Sequence, residues 1–314
     1  MTILEFGVTA LNCFPVVEIR SVELGTPDLA KSEAFYTEAW GLQVQCRADG
    51  VVYLRGSGPD HHVISLRAHA AAEVLSVTFR TASAENLQRL ADSVQAAGGT
   101  LLRPVEPNQA PDGGTVVMLQ TPEGYILRLI HGDTLHGDGG ARWDLPLRLS
   151  HVNLNCANID ATSTFFQRAL GFCLTDRSKM MAFLRCNNDH HAVVLANSGV
   201  NGMNHIAFMM PDCESVMRGS GRMIDHGYPI GWGVGRHGPG NNIFAYFVDP
   251  TGFVIEYTAE VLQVDDTYAV GGPERWVWPH GRTDHWGIAP PKPESVKNAQ
   301  LAIHFAATPK TPAA

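Results

Sequence analysis

The stretch "VELGTPDLAKSEAFYTEAWGL" (22–42) decides the fold, because the chain repeats it about 130 residues later as "VNLNCANIDATSTFFQRALGF" (152–172). Two further segments repeat in the same order. "YLRGSGPDHHVISL" (53–66) returns as "FLRCNNDHHAVVL" (183–195), and "QTPEGYILRL" (120–129) returns as "VDPTGFVIEY" (248–257). Repetition on this scale indicates a duplicated architecture.

Each half reads as a strand, a helix and a run of strands, followed by a second unit of the same kind. Alternating apolar residues predict the strands, and a helical spacing at Ile159, Phe165, Phe166 and Leu170 predicts a helix that ends at Gly171. We therefore predict an α+β fold of two tandem domains, each built from two βαβββ modules. The predicted ranges are 1–134 and 145–262, separated by the Gly- and Asp-rich linker 131–144 and followed by an extension, 263–314, rich in Trp, Pro and Gly. We expect the extension to pack on the body or on a neighbouring subunit.

Composition excludes several classes of protein. The 314 residues are 45% hydrophobic and 17% charged with a net charge of -8, which is typical of a globular protein. No Lys/Arg cluster favours nucleic acid or an anionic membrane as partner, and no run of about 18 apolar residues predicts a membrane span. The first 20 residues lack a signal-peptide pattern, and six cysteines without CxxC spacing suggest buried free thiols. These features together predict a cytoplasmic protein.

The two halves differ at three corresponding points. The second half has two histidines and a glutamate where the first has two serines and an arginine: His151, His205 and Glu256 correspond to Ser21, Ser76 and Arg128. Two imidazoles and one carboxylate form the facial triad that holds a divalent metal and leaves open positions. An arginine in place of the carboxylate would repel the cation. A single histidine in a strand is more often a hydrogen-bonded core residue, so the prediction depends on all three being lost together in the other copy.

Residues 16–260 resemble the vicinal oxygen chelate superfamily, and within it the type I extradiol ring-cleavage dioxygenases (the catechol 2,3-dioxygenase and 2,3-dihydroxybiphenyl 1,2-dioxygenase group). The most specific segment is "GRHGPGNNIFAYFVDPTGFVIEYTAE" (235–260). The resemblance implies curved mixed sheets around a pocket, a non-catalytic N-terminal domain, and Fe(II), or occasionally Mn(II), on His151, His205 and Glu256. It further implies an aromatic diol substrate, O2 as co-substrate, a muconic semialdehyde-type product and a homo-oligomer of two to eight subunits, with a tetramer favoured.

The resemblance also implies three catalytic residues around the metal. His191 would be the acid–base histidine, whereas His237 and Tyr246 would orient the substrate. The first half also contains "DHH" (60–62), so the histidine pair could instead be a turn element kept for structure. If the hairpin after Tyr246 has a three-residue loop with Gly252 left-handed, Tyr246 lies opposite Glu256.

One position departs from the biphenyl-type enzymes, which have an aspartate where this chain has Gly240. Catechol-type members also lack that acid, so the departure concerns the substrate subgroup. Two other functions fit the same scaffold: a glyoxalase-like isomerase, epimerase or lyase, and a ligand-sequestering protein that is not an enzyme. Oxygen consumption with a catechol would separate the first function from the other two.

Overall fold

Two similar eight-stranded sheets follow one another along the chain in the computed structural model, which describes residues 14–137, 142 and 144–308. The N-terminal sheet contains β1 (Val16–Thr26), β2 (Gln43–Ala48), β3 (Val51–Arg55), β4 (Ile64–Ala68), β5 (Glu73–Thr81), β6 (Thr100–Pro107), β7 (Thr115–Gln120) and β8 (Ile126–His131). The C-terminal sheet contains β9 (Arg148–Cys156), β10 (Cys173–Arg177), β11 (Met181–Arg185), β12 (Val193–Asn197), β13 (Gly202–Met209), β14 (Trp232–Arg236), β15 (Ile243–Val248) and β16 (Val254–Ala259). The helices are α1 (Leu29–Ala34), which continues into a π-helical turn (Phe35–Ala39), α2 (Glu85–Ala96), α3 (Ile159–Leu170), α4 (Cys213–Asp225) and α5 (Glu294–Ala302).

The two sheets have the same topology. Their strand orders are β2-β3-β4-β1-β5-β8-β7-β6 and β10-β11-β12-β9-β13-β16-β15-β14. In each module the first strand pairs in parallel with the fourth, and the two modules meet through an antiparallel pair, β1 with β5 and β9 with β13. The predicted α+β fold of tandem βαβββ modules is confirmed. The strands lie within the predicted domain ranges, whose exact limits stay predictions.

Helix α3 shows how local sequence sets an element. The Asn158 side chain accepts a hydrogen bond from the backbone N–H of Ala161 (3.1 Å), which satisfies one of the free donors at the helix start. Gly171 ends the helix at φ +77°, a left-handed conformation that glycine adopts without steric cost. The four apolar positions that predicted the helix are all buried.

The N-terminal half packs directly behind the C-terminal sheet. The Trp40 ring stacks on Tyr257 with centroids 3.7 Å apart, and the Tyr257 hydroxyl donates to the Trp40 carbonyl (2.5 Å). The Arg222 guanidinium on α4 donates to the same carbonyl and to that of Ala39. These contacts hold the strand that carries Glu256, so the N-terminal half supports the site without contributing a ligand.

The C-terminal extension packs on the body of the molecule. Helix α5 lies against β13, Val296 is buried, and Ile303 forms a bridge to Met203. Farther along, Phe305 bridges to Val74 of the N-terminal sheet. The extension therefore touches both halves and covers part of the C-terminal sheet.

The cysteine prediction is only partly right. The five described cysteines are free; Cys156 and Cys186 are buried, whereas Cys46 and Cys173, on the edge strands β2 and β10, and Cys213, at the start of α4, are partly exposed. Cys13 lies outside the described residues, and so does most of the N-terminal segment that was compared with signal peptides. Within the described ranges, no helix combines the length and hydropathy needed to cross a bilayer.

Candidate metal centre

Three adjacent strands bring the predicted ligands together. His151 on β9 and Glu256 on β16 each lie opposite Ala207 of the central strand β13, and His205 is two residues before Ala207. Residues opposite one another across a sheet, and residues two apart along a strand, share a face. The short Ala207 side chain leaves room above it for the three ligand atoms.

The three side chains direct their ligand atoms at one point. His151 Nε2 and His205 Nε2 are 3.2 Å apart, and Glu256 Oε2 lies 3.4 Å from the first and 3.0 Å from the second. All three residues are buried, and Glu256 Oε2 has no partner in hydrogen-bonding geometry. A buried carboxylate oxygen without a partner is costly unless a cation completes it. The donor set and this unsatisfied oxygen fit a divalent metal.

The electrostatics of the triad suit metal binding. Burial lowers the pKa of His205 to about 4, so its imidazole is neutral near pH 7. Burial alone would raise the pKa of Glu256, but contacts with His205 and His151 outweigh it and hold that pKa well below its usual value. Neutral imidazole and ionised carboxylate are the forms that coordinate metals.

A second layer of amides orients His205. Its Nδ1–H donates to Asn204 Oδ1 (2.9 Å), and Gln300 Nε2 on α5 donates to the same oxygen (2.7 Å). Asn204 Nδ2 in turn donates to Asn155 Oδ1 (2.9 Å). With the proton on Nδ1, the lone pair of His205 is on Nε2, the atom that faces Glu256. The C-terminal extension therefore helps to position a predicted metal ligand.

His191 is held by a buried chain of side chains. Asp176 Oδ2 accepts from His190 Nε2 (2.7 Å), and His190 Nδ1 lies 3.0 Å from His191 Nδ1. A carboxylate only accepts, so we assign the His190 proton to Nε2; His191 then donates from Nδ1, and its Nε2 keeps the lone pair. Its ring lies 4.4 Å from that of His151, and burial lowers the pKa of His191 well below the usual value. His191 thus lies beside the triad as a neutral imidazole with one free nitrogen.

The N-terminal copy keeps the histidine pair but lacks this chain. His61 Nδ1 and His62 Nδ1 are 3.1 Å apart, as in the second half. The residue opposite Tyr53 there is Cys46, whereas the residue opposite Phe183 in the second half is Asp176. The histidine pair is therefore common to both halves, and the catalytic role of His191 stays a prediction. The carboxylate behind it belongs to the second half alone.

Gly240, at the position where the biphenyl-type enzymes have an aspartate, packs closely against His191. Its φ is +77°, and a Cβ atom there would lie 2.7 Å from Cε1 of His191. A side chain at this position would have to displace the His191 ring. Glycine at this position therefore leaves the space that the His191 ring occupies.

His237 and Tyr246 form a pair beside the ligands. Tyr246 lies directly opposite Glu256, and the hairpin turns with Gly252 at φ +101°, as the spacing predicted. His237 Nε2 is 3.0 Å from the Tyr246 hydroxyl, and its ring stacks on Phe244 with centroids 4.0 Å apart. Burial lowers the pKa of His237 to about 3 and raises that of Tyr246 well above its usual value, so both groups are neutral near pH 7.

The corresponding place in the N-terminal sheet has a different chemistry. Arg128 lies opposite Thr78, as Glu256 lies opposite Ala207, and its Nη2 donates to Asn108 Oδ1 (2.9 Å). A fixed guanidinium there replaces the negative charge that a metal ion needs. Among the described residues, a three-ligand cluster occurs only in the C-terminal half.

A cavity of about 310 Å³ opens from the C-terminal sheet onto the predicted site. It is lined by two of the triad residues and by all three predicted catalytic residues: His151, His205, His191, His237 and Tyr246. The extension supplies walls that sequence reasoning did not assign: Trp276, Trp278, Thr283, Lys292 and Gln300. The aromatic richness of the extension was the one signal that could have indicated this role. Asp176 also escaped notice, because no local motif marks it.

Comparison with known proteins agrees with this geometry. The family model for the glyoxalase/bleomycin resistance protein/dioxygenase superfamily matches residues 18–129 and 148–257. Metapyrocatechase 2 of Cupriavidus necator is 37% identical over 140 residues, 44% of this chain and 41% of that protein. A manganese-dependent 2,3-dihydroxybiphenyl 1,2-dioxygenase of Geobacillus genomosp. 3 is 24% identical over 265 residues, 75% of this chain and 82% of that protein.

Two further matches extend the comparison. An iron-dependent extradiol dioxygenase of Rhodococcus jostii is 26% identical over 277 residues, 74% of this chain and 88% of that protein. The crystal structure of a Mn(II)-bound glyoxalase from Novosphingobium aromaticivorans superposes with a TM-score of 0.85 and 31% identity, covering 95% of this chain and 97% of that one. The resemblance seen in the sequence is confirmed: the chain belongs to the glyoxalase/bleomycin resistance protein/dioxygenase superfamily, and relatives that it matches over most of their length are named dioxygenases.

Proposed function

We propose that this enzyme cleaves the ring of a catechol-type aromatic diol at the bond next to the two hydroxyl-bearing carbons, with both atoms of O2 entering a muconic semialdehyde-type acid. The observation that carries the proposal is that one cavity adjoins both the predicted metal ligands and the three predicted catalytic residues. Three buried ligand atoms converge on one point there, beside an uncharged His191 and the His237–Tyr246 pair. His151, His205 and Glu256 would hold Fe(II) or Mn(II), since both metals accept this donor set.

When bound, the metal would supply Lewis acidity toward two adjacent substrate oxygens and exchange electrons with O2. The residues of the chain supply the rest. Tyr246 and His237, with their polar atoms 3.0 Å apart, would orient one hydroxyl of the diol by hydrogen bonds. His191 Nε2, the free nitrogen of a neutral imidazole, would accept a proton from the reacting oxygens and return it. The aromatic walls of the cavity, among them Trp232 and Trp276, would limit the access of water to these steps.

Oxygen uptake tests the proposal directly. Protein purified anaerobically and supplied with Fe(II) should consume one O2 for each catechol and form a yellow product. Labelled O2 should place two heavy oxygen atoms in that product, and metal analysis before loading distinguishes iron from manganese. Turnover of catechols without oxygen uptake, or a product with one labelled oxygen, contradicts the proposal.

A second candidate is a metal-dependent isomerase or lyase of the glyoxalase type. It is favoured by the 31% identity and nearly full-length overlap with the Mn(II)-bound glyoxalase structure. Such chemistry uses the metal as a Lewis acid and consumes no O2. It needs no His191–His237–Tyr246 set, and the same oxygen measurement separates it from ring cleavage. The third possibility, a ligand-sequestering protein, would bind a diol without converting it.

We further infer that the enzyme works as a cytoplasmic homo-oligomer with a small aromatic diol as its partner. The likeness to catechol and biphenyl dioxygenases supports the substrate class. Light scattering coupled to gel filtration measures the number of subunits, for which a tetramer is expected.

The amide layer behind His205 yields a prediction about metal affinity. Asn204→Leu introduces the residue that the N-terminal copy has at this place, Leu75, and removes the acceptor of His205 Nδ1–H. Loss of such a partner typically costs 10- to 100-fold in metal affinity, so we expect the Kd for Mn(II) to rise by about that factor. Competition with a chelator measures it. An unchanged Kd in a folded variant would show that His205 needs no such support.

A further inference from the structure

Lys292 reaches the cavity from the C-terminal extension, just before α5. Its Nζ lies 4.3 Å from the centroid of the Trp232 ring and 5.3 Å from that of Tyr246. Both rings line the cavity that contains the predicted metal ligands. The ammonium group is therefore placed beside the residues that the proposed function assigns to substrate orientation.

Lys292 forms no salt bridge with the described part of the chain. Its one hydrogen-bond partner is Gln300 Oε1 at 3.0 Å, an uncharged amide, although an ammonium group carries three donors. Burial lowers the pKa of Lys292 to about 8, so the charged form is held at a cost. On helix α5, by contrast, Lys297 is half-exposed and paired with Glu294.

The rest of the cavity does not neutralise this charge. Glu256 attracts Lys292 electrostatically, but it is the acid of the triad, and its Oε2 lies within 3.4 Å of Nε2 of both histidines. The rings of Trp232, Trp276 and Trp278 line the same cavity, and Lys179, which also lines it, is exposed to water. A divalent metal contributes two positive charges, Glu256 one negative charge and Lys292 one positive charge, so the site as a whole would carry a net charge of about +2. A diol bound as a monoanion neutralises one of these positive charges.

We propose that Lys292 binds an anionic substituent, of the carboxylate class, on the ring of the aromatic diol. The inference rests on the proposed function and narrows its substrate class. A carboxylate next to the ammonium group would accept hydrogen bonds from the two N–H groups that do not donate to Gln300. Trp232 would pack against the neighbouring part of the substrate. An ion pair formed away from water strengthens both binding and orientation.

The test compares acids with their uncharged primary amides. The probes are the 2,3- and 3,4-dihydroxy isomers of phenylacetate and phenylpropionate, each with its amide, which has nearly the same shape. For the enzyme, kcat/KM should be higher for at least one acid than for its amide. Lys292→Met should reduce that acid-to-amide ratio by about 100-fold, and Lys292→Arg should retain part of it. The matched control Lys297→Met, at a half-exposed position of α5, should leave the ratio unchanged.

Two outcomes overturn the proposal. One is an unchanged enzyme whose kcat/KM is no higher for any acid than for its amide. The other is a Lys292→Met protein in which kcat/KM falls equally for acid and amide, because Lys292 would then act on the diol or on the fold. Anaerobic calorimetry of the Mn(II)-loaded protein with the same pairs measures binding without turnover. If no diol is cleaved at all, the proposed function fails, while the binding ratio still decides the role of Lys292. If Lys292→Met does not fold, the acid-to-amide ratio of Lys292→Gln is compared with that of the unchanged enzyme, and the same two outcomes apply.

Discussion

Replacing Glu256 by glutamine should leave a folded protein that neither retains metal nor cleaves catechols. Glutamine has the size of glutamate but brings no negative charge to the two histidines. If three ligands share a binding free energy on the order of 12 kcal/mol, loss of one costs about 4 kcal/mol, or roughly 1000-fold in affinity. Metal analysis after dialysis and oxygen uptake measure the two effects.

The duplicated fold offers a matched control for this change. Arg128 occupies in the N-terminal sheet the position that Glu256 has in the C-terminal sheet. Arg128→Gln should therefore change neither metal content nor turnover. A Glu256→Gln protein with a full complement of metal would remove the glutamate from the proposed ligand set, and equal metal loss in the control would show that the fold, and not the carboxylate, governs metal content.

Replacing His191 by asparagine should slow turnover by about 100- to 10,000-fold while metal content stays unchanged, because a positioned proton acceptor contributes that much to a reaction. Asparagine can still donate to His190 but cannot accept and return a proton near neutral pH. Steady-state oxygen uptake with saturating catechol reports kcat, and metal analysis confirms that the site is loaded.

The same change in the other copy, His62→Asn, is the control. His62 is buried and lies 3.1 Å from His61, so the variant carries a similar packing cost. Its turnover should stay near that of the unchanged enzyme once thermal stability has been compared. Equal loss of activity in both variants would mean that the histidine pair acts only through the fold, as the repeat of "DHH" first allowed.

Much of the fold and the triad followed from comparing the chain with itself. The strand and helix patterns repeat, and the ligand positions stand out because the first copy has Ser21, Ser76 and Arg128 there. The pairing of Tyr246 with Glu256 was predictable for a local reason. A three-residue loop fixes the register of a hairpin, and Gly252 adopts the left-handed conformation that such a loop requires.

Other features of the site escaped the sequence because they join distant segments. Asp176 reaches His190 only when β10 pairs with β11, and no local pattern tells this aspartate from a solvated one. Lys292 and Gln300 come from a segment without the repeat pattern, so neither self-comparison nor periodicity indicates what they contact. The cost of a side chain at Gly240 likewise depends on a ring about 50 residues away.

The sequence by itself determined the duplicated architecture and the identity of the three candidate ligands, because these depend on periodicity and on differences between two aligned copies; the family followed from the resemblance of its motifs. The tertiary structure alone decided which groups surround those ligands. It placed Asp176 behind the histidine pair, the amides of Asn204 and Gln300 behind His205, and Lys292 in the cavity wall. Such contacts depend on how whole sheets and the C-terminal extension pack, and local sequence carries little information about packing between distant segments.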